Sequence, residues 1–196
     1  CLTNYEKKVK RFVLLLVFIS SSIFAQSGTY KVDPEHSFAN WKIRHVVSKT
    51  SGTIPDMTGK MMINLDDMSQ SKINVEMSLL KIDSDHKKRD NHIQEKKFLN
   101  TSVFPTIKFN STKIVMQDDT NGVVTGTLAM GGVEKKLDIP FTLLGFGDDP
   151  WGGYRVGLEG NIDLKASDFG YSWGLKENSS LGDKIEVNLL VEGIKQ

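Results

Sequence analysis

Apolar and polar residues alternate along this chain in about eight short segments, with turn-forming residues between them. Successive side chains of a strand point to opposite faces, so each such segment offers one apolar face to a shared interior. In SFANWKIRHVV, Ala39, Trp41, Ile43, His45 and Val47 fall on the face expected inward, and Phe38, Asn40, Lys42, Arg44 and Val46 on the other. MTGKMMINL aligns Met57, Gly59, Met61, Ile63 and Leu65. KINVEMSLL aligns Ile73, Val75, Met77 and Leu79 against Asn74, Glu76 and Ser78. The pattern continues through TIKFNSTKIVM, NGVVTGTLAM, KKLDIPFTLL, GYRVGLEGNIDL and KIEVNLLVEG, the last with Ile185, Val187, Leu189 and Val191 inward. Pro140 has no N–H to donate and sits opposite Ile139 and Phe141, which suits an edge or a bulge. Turns are expected at Asp66-Asp67, Asn121-Gly122, Gly131-Gly132, 147–153 and 181–184. Many short strands with one apolar face predict an antiparallel sandwich or barrel, and closure would leave no exposed edge, so a barrel is expected.

The stretch SDHKKRDNHIQEKKFLN, residues 84–100, breaks this pattern. Ser84 suits an N-cap, and His86, Arg89, Asp90, Ile93 and Lys97 recur at helical spacing. One helix between two strands is predicted, near a barrel rim, with Phe98 and Leu99 as an apolar end. His86 and Asp90 could touch as base and orienting carboxylate. The sequence offers no nucleophile elbow to go with them, so solvated or structural contacts are the stronger expectation, with a polar head-group site as another. His36, His45, His86 and His92 show no metal-ligand spacing, and no metal is expected. His45 is expected inside as a hydrogen-bonded core histidine. The lysines alternate with acids and have no aromatic platform, so nucleic acid is not an expected partner.

Residues 1–25 read as a secretory signal peptide: basic Lys7, Lys8, Lys10 and Arg11, an apolar run Phe12–Ile19, then a small Ala25 before the expected cut. The run is too short to span a bilayer, and Cys1 precedes it, so neither an anchor nor a lipidated cysteine is expected. The whole chain carries 25 basic and 24 acidic side chains. Without the leader's four bases and one acid, 21 remain against 23, a net charge of −2 with no general attraction to polyanions. Cysteine chemistry is absent from residues 26–196, so packing and strand pairing must supply the stability. Methionines at 57, 61, 77, 116 and 130 fall on inner faces, where they can fill a core or surround a pliable ligand. An eight-stranded barrel is the size at which the interior either fills or holds one small ligand.

VDPEHSFANWKIRH (32–45), RDNHIQEKKFLNTSVFPTIKFNS (89–111), GTLAMGGVEKKL (126–137), SDFGYSW (167–173) and LGDKIEVNL (181–189) resemble, in order, the motifs of the YceI-like polyisoprenoid-binding family. The resemblance implies a lipocalin-like, mainly β fold: an eight-stranded antiparallel barrel with one helix at its rim. It also implies export to the periplasm, an isoprenoid lipid held in an apolar tunnel, and no established enzymatic activity. No cofactor is expected. On strand phase, the wall candidates are Trp41, Ile43 and His45, then Met61, Met77 and Leu79, then Phe109, Leu128, Phe141 and Val187. His36, Arg89, Asp90 and His92 are the candidate head-group or rim residues. The chain departs from the family where an Arg is usual two residues before Asp-Phe-Gly and Ala166 stands, and at Ala129 and Gly131. The expected role is carriage or buffering of a polyprenyl or quinone-type lipid, without stable membrane insertion once the leader is gone. The alternatives are an enzyme using the His/Asp rim residues on a lipid or sugar, and a ligand-free envelope stress module. Exposed Trp151 leaves homodimer formation open.

Overall fold

A computed structural model describes residues 26–196; the expected signal peptide lies outside the described residues. Ten strands follow in order: β1 (Gly28–Val32), β2 (Phe38–His45), β3 (Ser48–Ile54), β4 (Thr58–Ile63), β5 (Lys72–Ser78), β6 (Thr106–Met116), β7 (Asn121–Met130), β8 (Val133–Asp148), β9 (Tyr154–Lys165) and β10 (Leu181–Lys195). All pairings are antiparallel, in the order β1-β4-β5-β6-β7-β8-β9-β10, and β1 pairs back onto β10 to close the barrel. β2 continues β1 along β10, and β3 pairs onto β2 as β4 pairs onto β1. The first two barrel strands are therefore each broken once, and the wall is eight strands around. The eight alternating segments of the sequence correspond to this wall. β1 and β3 are the additions: GTYKV is short, and SKTSGTI has no apolar face to recognise.

The two ends differ. Near β1 and β4 side chains are deeply buried, with Tyr30 and Met61 at 0% exposure and Val32, Met57 and Val156 also buried. Toward the end where β2 and β5 finish, the wall parts in two places. β3 has only the bridge Thr53–Asp83 on its free side. β8 pairs with β9 from Phe141 to Asp148, while Val133–Pro140 pair with β7. Pro140, lacking an N–H, stands where β8 leaves β9. The edge reading of that residue holds locally. This flared end is the mouth. The inward residues of β10, Ile185, Val187, Leu189 and Val191, are only half-buried because they face the hollow rather than a packed neighbour.

The charged stretch forms α1 (Lys87–Ile93) in the β5–β6 connection at the mouth. Its N-cap is His86, whose Nδ1 accepts from the Arg89 N–H at 3.3 Å, and not Ser84. Ser84 is buried and is bonded to Asp90 instead. The 181–184 stretch is a register irregularity inside β10 rather than a turn, and Asn121-Gly122 opens β7.

The β2–β3 connection is a two-residue hairpin, since His45 pairs with Ser48. Such turns favour Asn-Gly or Gly first, because φ must be positive. Here they hold Val46-Val47, with Val46 at φ 52°. A β-branched residue in that region costs about 1–3 kcal/mol. Val47, expected inward from its phase, is 97% exposed, because the turn ends the strand's alternation.

Candidate functional site

The interior holds an apolar cavity of about 390 Å³. It runs from His45, Arg89, His92 and Ser180 at the mouth down to Ile73, Phe141 and Leu158. Those three deepest residues also line a second cavity of about 260 Å³ at the opposite end, bordered by Met68, Met116 and Phe146. They stand between an upper and a lower chamber.

The strand phases place every wall candidate on the upper cavity. β2 supplies Trp41, Ile43 and His45. β4, β5 and the turn after β5 supply Met61, Met77 and Leu79. Phe109, Leu128, Phe141 and Val187 complete the set from β6, β7, β8 and β10. His45 is the one whose environment differs from expectation. It is exposed at the rim, not a buried core histidine, because β2 ends there. Phe98 and Leu99, expected as the apolar end of the helical stretch, line the cavity, and so does Trp173, which strand phase missed because its segment carries no alternation. Phe98 lies 4.7 Å from the His92 ring and 6.0 Å from Trp173, and Trp173 stacks on Tyr171 at 4.6 Å. Gly52 lets the Trp41 indole lie flat against β3: a Cβ there would meet Trp41 Cζ2 at 2.5 Å and the Asp83 carbonyl at 2.3 Å.

The four rim candidates do not form one group. Arg89 and His92 line the mouth. Asp90 is buried beside it, where its Oδ1 accepts from the Ser84 N–H at 2.9 Å and the Ser84 hydroxyl at 2.5 Å. Arg89 clamps the same serine, its Nε donating to Ser84 Oγ at 2.8 Å. The bond that lowers the Glu95 carboxylate most comes from His92, 3.0 Å away. His86 and Asp90 are thus both committed to holding the helix, which leaves no base–carboxylate pair between them.

His36 is elsewhere, on the outer wall. Its Nδ1 meets Asp33 Oδ2 at 2.9 Å, and the Arg155 guanidinium spans Asp33, Asp149 and Glu192. Glu192 and Leu181 are separated by eleven residues of β10, about 36 Å of strand, so this cluster is remote from the mouth. Burial opposes ionisation of Asp33, but bonds from Arg155 and His36 hold its carboxyl below the ordinary range. Asp33, His36 and Glu192 lie close enough to share a cation, yet Arg155 already occupies the space between the two carboxylates. Their chemistry is that of a structural clamp.

Polar groups inside are few. Trp41 Nε1, Trp173 Nε1 and the Tyr171 hydroxyl are buried with no hydrogen-bond partner among the described residues. Burial raises the Tyr171 pKa, keeping it a neutral donor. Ala166 is fully buried and adds no charge. Gly131, at φ 62°, lies so close to Tyr171 that a Cβ would fall 2.6 Å from its hydroxyl.

Fold and cavity together define a closed β-barrel with an apolar internal chamber and a helix at its mouth. Residues 30–193 match the YceI-like domain, and the chain belongs to that family. It is 36% identical over 190 residues to a UPF0312 protein of Pseudomonas aeruginosa, covering 93% of this chain and 97% of the relative. Among solved structures it is similar to BcnA of Burkholderia cenocepacia, with TM-score 0.74, 18% identity and coverage of 82% and 98%. It is also similar to a polyisoprenoid binding domain from Saccharophagus degradans, with TM-score 0.67, 12% identity and coverage of 85% and 98%. At these identities the two structures show a shared fold.

Proposed function

We propose that this chain carries an isoprenoid-tailed lipid, a polyprenyl phosphate or a quinone, in its barrel cavity, without catalysis and in the periplasm. The observation that carries this reading is the cavity itself: a continuous apolar space walled by residues from nearly every strand and open at one end. Each isoprene unit moved from water into such a space gains up to about 3–4 kcal/mol, at roughly 0.8 per CH₂. Ordering the chain offsets part of that gain. The polyisoprenoid binding domain from Saccharophagus degradans has the same fold, which supports the ligand class. The unpartnered indole N–H groups of Trp41 and Trp173 are suited to a ligand oxygen near the mouth. Arg89 is the cation there for an anionic head group. Export rests on the signal-like residues 1–25.

The test is native mass spectrometry of the protein purified from a bacterial periplasm, followed by organic extraction. A stoichiometric adduct with mass steps of isoprene units is the expected result. A clean unliganded mass that also refuses added polyprenols and quinones would sink the proposal.

A further inference from the structure

The mouth carries an apolar prow beside the cavity. Val46 and Val47 are 54% and 97% exposed at the hairpin tip, and Leu175 is 63% exposed in the 166–180 connection. The two are fastened together. The Val46 N–H donates to the Ser180 carbonyl at 2.7 Å, and the Arg44 guanidinium donates to the carbonyls of Val46, Ser179 and Leu181. The tip is thus a fixed projection, held in a backbone conformation that valine disfavours, at a position where a glycine or asparagine would relax it. Strain retained at an exposed site, to present two valines to water, calls for a partner.

Charge says which partner. The loops at the opposite end, 64–71, 117–120 and 148–153, hold six aspartates and neither Lys nor Arg. The mouth connections, 79–105 and 166–180, hold seven bases against six acids, and one of those acids, Asp90, is buried. Lys87, Lys88, Lys96 and Lys176 are exposed there without an ion pair among the described residues. A barrel that is acidic at one end and mildly basic at the other orients its mouth toward an anionic surface.

We infer that the mouth docks on an anionic lipid bilayer, with Val46, Val47 and Leu175 entering the interfacial region and the nearby lysines facing lipid phosphates. The docked face is the one through which the cavity opens, so a hydrophobic cargo could pass without crossing water. Docking is a separate property from cargo binding and goes beyond the carrier reading.

The test uses residues 26–196, which contain the whole closed barrel, in co-sedimentation with phosphatidylethanolamine/phosphatidylglycerol vesicles and with pure phosphatidylcholine vesicles. Wild type is expected to prefer the anionic vesicles and to be released by high salt. The double substitution Val46→Asn with Val47→Gly should bind about tenfold more weakly. It should also melt no lower than wild type, because asparagine tolerates the positive φ that Val46 adopts. Leu175→Ser, in the other loop, should weaken binding in the same direction and serves as a second variant. Equal binding by wild type and variants, or no binding by wild type to either vesicle, would overturn the inference. Native mass spectrometry of cargo loaded from detergent reads the carrier function separately, and the tip variants should load as wild type does.

Discussion

Individual side chains hold the barrel, border its hollow, or do both. Met61 does both, with no exposed surface although it lies on the cavity wall. Met61→Ala should cost about 2–5 kcal/mol, read from the denaturant midpoint, since transfer and cavity terms add. The outer clamp makes a different prediction. The bond to Asp33 raises the His36 pKa above 6.5, while Asp33 is held below 3.8. A raised histidine pKa stabilises the fold fully below the unfolded value and ceases to do so as pH rises through the folded value. The melting-temperature advantage of wild type over His36→Gln should therefore be present near about pH 5.5 and vanish in alkaline buffer. An advantage that is the same at both pH values would show that the His36–Asp33 contact contributes nothing through its charge.

Among the elements, the β2–β3 hairpin shows how a glycine and an indole depend on each other. Gly52→Ala would drive a methyl into the Trp41 ring and the Asp83 carbonyl that bridges to Thr53. Its expected effects are a lower melting temperature and altered Trp41 fluorescence, measured against the Trp151→Phe background to remove the exposed indole. Unchanged emission and stability would mean that β3 yields freely. The same hairpin marks what alternation could and could not foretell. Inside the strands, period two placed Trp41, Met77, Phe109 and Val187 correctly, because the pleat leaves side chains only two faces. It misplaced Val47 and the environment of His45, since a strand's end depends on where its partner stops. It could not find Trp173, which reaches the cavity from a segment with no repeat. The separation of His36 from His92 was equally invisible in the sequence, because that distance is set by the closure of the whole barrel.

For the whole molecule, the cavity can be tested by filling it. Val187 is inward, half-buried and beside the hollow, so Val187→Trp has room that the fully buried Leu79 would deny. The variant should lose lipid uptake in the extraction assay while melting within a few degrees of wild type; full uptake would remove Val187 from the wall. The uneven packing along the barrel has a thermodynamic corollary. The chamber that opens at the mouth has walls without contents, so an occupant there completes an interior that the sequence leaves open. Binding then stabilises the fold by mass action, increasing with occupant concentration over its dissociation constant. That gain should be concentrated in β2, β3 and β10 near the mouth, and amide hydrogen exchange would register it there. An empty barrel and a filled one would consequently differ in protease resistance at their flared ends, giving a cell the means to clear the one and spare the other.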